Sequence, residues 1–167
     1  MKPRVLFTAA VAALTLAAAL HAVAQGPAAA DNNPDLIEAR KYTLTMDKIE
    51  KLAASMDAIN KLTASDPALK SKMDADNGSK PIDQRAKDID TNFPQVAAII
   101  HSHGLTTREF MVVTIAYIND VTFVGMKKQG MIKDYPPNSI TPENAAFVEA
   151  NFDKLQQIGQ KLSPSQN

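Results

Sequence analysis

Leu105-Thr106-Thr107-Arg108-Glu109-Phe110-Met111-Val112-Val113-Thr114-Ile115-Ala116-Tyr117-Ile118 is the stretch that decides the fold. Thr106 is placed as a helix N-cap, and Glu109, three residues on, completes a capping box. Leu105 and Phe110 flank the cap as a hydrophobic staple. The helix started here is predicted to run over 107–128. Lys127 and Lys128 suit its carboxyl end, and Gly130 follows. Residues 110–118 are apolar except for Thr114. On a helical wheel Phe110, Val113, Tyr117, Val121 and Val124 form one face, and Met111, Ile115, Ile118 and Met126 another. A narrow polar line remains, through Glu109, Asp120 and Lys127. A helix apolar nearly all round is buried on most sides, so this is the expected central helix of the domain. Asp120 is expected on its wet edge.

The segments before it read as shorter helices. Ile49, Leu52, Met56 and Ile59 recur at steps of three and four, which gives one apolar stripe over 45–64 with Thr45 as N-cap. Asp66-Pro67 starts a short helix carrying Leu69 and Met73. Asn77-Gly78-Ser79 ends it as a turn. Ile82, Ala86, Ile89 and Phe93 form the next stripe. Pro94 lacks a backbone donor and disfavours helical angles at Phe93, so a break is predicted at 91–94. A further helix carries Val96, Ile99 and Ile100 and stops at Gly104.

After the central helix, 130–141 is a connection stiffened by Pro136-Pro137. Thr141-Pro142 is a second cap-plus-proline start. The last helix carries Val148, Phe152, Leu155, Ile158 and Leu162 on one stripe. The fold class expected is all-α: a bundle of four main helices plus one or two short ones. The single helical domain is placed at 44–163, between a flexible N-terminal tail at 25–43 and a C-terminal tail at 164–167.

The first 24 residues read as a secretory signal peptide. A basic start, Lys2 and Arg4, precedes an uncharged run over 5–20. Ala22 and Ala24 then place cleavage between Ala24 and Gln25. The run of 16 residues falls short of the ~20 that span a hydrocarbon core. No later segment is expected to be long and apolar enough to span a bilayer. The mature chain is expected in the periplasm or outside the cell, with no stable anchor. It has about 143 residues, the size of one domain. There is no cysteine, so neither a disulfide nor a thiol-linked lipid is available. The whole chain carries 18 basic and 18 acidic residues, and loss of Lys2 and Arg4 leaves a net charge of −2. That balance gives no electrostatic reason to expect nucleic acid.

Chemistry has few candidates. His101 and His103 are the two histidines of the mature chain. Two residues apart on a helix, they point about 200° apart, and no Cys or third His completes a metal set. They read as polar residues at a helix carboxyl end. A haem held by a His and a Met is the alternative, but Met46, Met56, Met111 and Met126 lie on apolar stripes as core filler. There is no C-x-x-C-H, G-x-S-x-G, H-E-x-x-H or Gly-rich phosphate loop. Glu109 and Asp120 could act as an acid–base pair. The simpler reading makes Glu109 a cap, like Thr106 and Thr141. No catalytic residue and no cofactor are therefore assigned.

Gly104-Leu105-Thr106-x-x-Glu109 resembles the L-T-x-x-Q elements of periplasmic stress chaperones of the Spy and CpxP type. Those carry the element twice and with Gln, so no residue role transfers. Leu44-Thr45-Met46-Asp47-Lys48, Gly104 to Phe110 and Asn144-Ala145-Ala146-Phe147-Val148-Glu149-Ala150-Asn151 together resemble a group of small exported helical bacterial proteins without a known activity. The leading functional class is a non-enzymatic module that binds or shields a protein or a small apolar partner. Its wall would be Met111, Ile115 and Met126, although burial of these residues by neighbouring helices is the simpler expectation. A haem- or metal-binding bundle using His101 or His103 comes second, and an enzyme third.

Overall fold

The computed structural model describes residues 33–75 and 80–162. The leader, the Ala24/Gln25 junction, the 77–79 turn and the C-terminal tail lie outside the described residues. Among those described there are seven helices and no strand. They are α1 (Pro34–Lys41), α2 (Met46–Ser65), α3 (Pro67–Ala75), α4 (Ile82–Asn92), α5 (Pro94–Ser102), α6 (Thr107–Lys128) and α7 (Pro142–Leu162). Three are long, with 20, 22 and 21 residues, and four are short. The break predicted at 91–94 separates α4 from α5 at Pro94, and the helix that the sequence pattern did not predict is α1. Phe93, at the break, leaves helical angles with φ −132° and ψ 56°.

α6 is the axis of the fold: α1, α2, α4, α5 and α7 all pack against it. Every residue from 110 to 117 is buried. By length and composition α6 could cross a membrane, at a mean hydropathy of 1.3, contrary to the expectation that no later segment could. Here neighbouring helices cover the apolar surface of its first half. Ile49, Leu52 and Ile59 from α2, Val96 and Ile100 from α5, and Val148 and Leu155 from α7 meet it in one core.

The caps explain where the helices start. The Thr45 hydroxyl accepts from the Lys48 amide, Thr106 from the Glu109 amide at 3.1 Å, and Thr141 from the Asn144 amide at 3.2 Å. Gly104 stops α5 at φ +80°, a conformation glycine adopts without the Cβ penalty. α4 starts at Pro81, which has no capping side chain. Its Ile82 amide is capped instead by the Asp35 carboxylate of α1, at 2.9 Å.

Residues 34–41 were expected within a flexible tail, but they form α1. Leu36 and Ala39 are buried, and Arg108 of α6 clamps Glu38 of α1 and Asp83 of α4 together. Asn33 caps α1 and Pro34 stands at its first position, a start signal of the same kind as those read elsewhere. The packed domain therefore begins about ten residues earlier than the 44–163 boundary.

Candidate functional site

The strongest departure from an apolar core is a buried polar cluster beside α6. Asp120, Asn144 and Ser139 are buried, and the first two are almost wholly removed from water. α6 supplies Asn119 and Asp120, and α7 supplies Asn144 from its first turn. The Asn144 amide nitrogen donates to one Asp120 carboxylate oxygen at 2.8 Å and to the Tyr42 carbonyl at 2.8 Å. The Asn144 amide oxygen accepts from the Leu44 amide at 3.0 Å. The Asn119 amide nitrogen donates to the other Asp120 oxygen at 2.9 Å and to the Ser139 carbonyl at 2.7 Å. One carboxylate thus joins α6, the start of α7, the α1–α2 corner and the connection before α7.

Local sequence builds this arrangement. Pro136-Pro137-Asn138-Ser139 is a turn in which the Ser139 amide donates to the Pro136 carbonyl. Asn138 takes φ +59° at its third position, where a turn of type II needs a left-handed residue and Asn tolerates one. Ser139 thereby presents its carbonyl to Asn119. Thr141, capping α7, fixes the first turn that carries Asn144.

Asp120 is therefore not on a wet edge, as expected from the helical wheel. Val113, Ala116 and Val124 surround its position on the helix, and all are buried. Burial pushes its carboxyl up from 3.8 to about 6, although the amides of Asn119 and Asn144 oppose that shift.

Glu109 also differs from its expected role. The Thr106 half of the capping box forms, but the Glu109 carboxylate turns to the α1–α2 corner. It accepts from the Tyr42 hydroxyl at 2.8 Å and pairs with Lys48 at 2.7 Å. Lys48 holds the Glu109 carboxyl below its usual range, while burial and Glu109 raise the Tyr42 phenol. The corner offers a hydroxyl and an ammonium, both better donors than a backbone amide already at the helix edge. Glu109 and Asp120 are thus engaged in separate contacts and do not face each other across a space for substrate.

His101 and His103 lie at the end of α5. His101 is exposed, and its Nε2 stands 3.3 Å from the buried Thr107 hydroxyl and 3.9 Å from an Asp90 oxygen. Thr107 donates to Asp90 as well, which ties the start of α6 to α4. His103 caps α5 through its backbone. Among the described residues no group of three His, Cys, Asp or Glu side chains converges as a metal site.

The apolar wall is also redistributed. Met111 and Ile115 are buried by neighbouring helices and offer no surface. Past residue 117 the covering thins: Ile118, Val121, Phe123 and Met126 are partly buried. Met131, just beyond the end of α6, is 65% exposed, and the half-buried Ile132 follows it.

No family model matches the chain, and no curated protein or solved structure matches it.

Asn144, Asn119 and Tyr42 are residues of the candidate site that no motif in the sequence marks. A signal for Asn144 was present. It falls on the α7 stripe with Val148, Phe152 and Leu155, at steps of four, four and three. A polar residue on an apolar stripe is a buried one that needs partners.

Proposed function

We propose that this chain is an exported, non-enzymatic helical protein that binds or shields an apolar segment of a protein partner. The carrying observation is the uneven covering of α6. Its first half is enclosed, while Ile118, Phe123 and Met126 are only partly covered and Met131, just beyond its end, is exposed. Flexible, incompletely covered methionines can accommodate apolar partners of varied shape. The 1–24 leader, with its Ala24/Gln25 junction, supports export to the periplasm or beyond. The near-neutral charge favours no nucleic acid, and the small exported helical proteins that the sequence resembles bring no chemistry to set against this reading. His101 and His103 enter it only as surface residues.

The test is light scattering from a reduced, unfolding test protein with and without the chain. Equimolar chain is expected to delay aggregation. Replacing Met126 and Met131 together by Gln should remove the delay without moving the unfolding midpoint. Replacing His101 and His103 together by Ala should preserve it. No delay from the unaltered chain would reject the proposal. Soret absorbance or bound metal lost in the double His variant would put the haem or metal reading in its place.

A further inference from the structure

We propose that the corner where residues 42–44 and 139–144 meet α6 is a pH-operated latch, shut while the Asp120 carboxyl is neutral and loosened as it ionises. The geometry carries this. Asp120 is fully buried, and both of its side-chain partners are uncharged amides. Those same amides hold the corner. Asn144 grips the Tyr42 carbonyl and the Leu44 amide, and Asn119 grips the Ser139 carbonyl. Among the described residues no cation acts on a charge at this point to offset the loss of water.

The groups facing it are few. From α7 it meets the Asn144 amide, and from the 129–141 connection the Ser139 carbonyl, by way of Asn119. From the α1–α2 corner it meets the Tyr42 backbone, by way of Asn144. The Tyr42 phenol, Glu109 and Lys48 form their own cluster at the other end of Tyr42. Burial and the two amides are the influences acting on the carboxyl, with burial the larger.

Opening the corner returns Asp120 to water and to its ordinary value of 3.8, against about 6 when closed. The closed form binds the proton more tightly, so closure is favoured in acid and lost as pH rises through about 6. Between about pH 5 and about pH 7.5 the ratio of closed to open should fall about tenfold. The connection that loosens also carries Met131, but the latch does not depend on the binding proposal.

The test uses the whole labelled chain. The carboxyl carbon of Asp120 is followed by NMR through the acid and neutral range, and the Leu44 amide by native-state hydrogen exchange. The expected midpoint for Asp120 is about 6. The Leu44 protection factor should drop about tenfold from about pH 5 to about pH 7.5, after correction for intrinsic rates. In Asp120→Asn that drop should vanish. If that variant does not fold, the two measurements on the unaltered chain decide alone. A midpoint near the ordinary value, or equal Leu44 protection at both pH values, overturns the latch.

Discussion

Asn144→Ala is expected to lower the unfolding free energy by about 3–5 kcal/mol at neutral pH, measured by denaturant titration. The side chain is small and exposes nothing, so surface area does not predict this. Its amide makes three contacts at once, two of them fully buried. Truncation leaves the Leu44 amide without its acceptor, the Tyr42 carbonyl without its donor, and Asp120 with Asn119 as its one remaining amide partner. Each unsatisfied buried polar group costs about 1–3 kcal/mol, and a buried charge costs more. Near pH 4 the Asp120 carboxyl is neutral in the folded chain, so part of the penalty disappears there. A loss under about 1 kcal/mol at neutral pH would mean that the cluster does not hold the corner.

Tyr117→Ala should cost a similar amount, about 3–5 kcal/mol, by opening a cavity between α6 and α7. Tyr117 has a second role that sharpens the test. Its hydroxyl donates to the Leu155 carbonyl at 2.7 Å and accepts a hydrogen bond from the Gly159 backbone. It thus sits between two α7 groups that a regular helix joins directly. Burial raises the phenol to about 12, so it remains a neutral donor at physiological pH. A Cβ on residue 159 would stand 2.8 Å from that hydroxyl. Replacing a helical Gly by Ala ordinarily stabilises by about 1 kcal/mol. Here Gly159→Ala should destabilise by about 1–3 kcal/mol, because the buried ring cannot retreat. In the Tyr117→Phe background the same change should turn neutral or favourable. Thermal unfolding of the four proteins in this cycle reads the coupling directly.

The legible part of the fold was the part written in local chemistry. Thr45, Thr106 and Thr141 mark helix starts, Pro94 marks a break and Gly104 a stop, because each acts on backbone groups within four residues of itself. The apolar stripes of α2, α5 and α7 follow from the same short-range periodicity. What stayed hidden depends on residues far apart in the chain. α1 is amphipathic only weakly, and its burial rests on the packing of Leu36 and Ala39 against α6 and on contacts with Ile82 and Arg108, dozens of residues away. Glu109 reads as a cap because its local spacing fits one, yet Tyr42 and Lys48 compete for it from another helix. Asp120 reads as solvent-facing because a wheel shows one helix alone. Its position became an interior one when α7 brought Asn144 against it, 24 residues further on. The candidate site was therefore the least legible part, since the contacts that assemble it join residues 20 to 102 positions apart.

The most direct test of the account is amide hydrogen exchange of the folded chain at about pH 5, read residue by residue. The central claim is that α6 is enclosed and that a buried polar node ties the α1–α2 corner to it. Amides 111–121 should be the slowest in the protein. The Leu44 amide lies outside any helix, yet it should exchange far more slowly than those of the exposed Thr43 and Thr45 beside it. Leu44 exchanging at the rate of its exposed neighbours, or fast exchange across 111–121, would contradict the account.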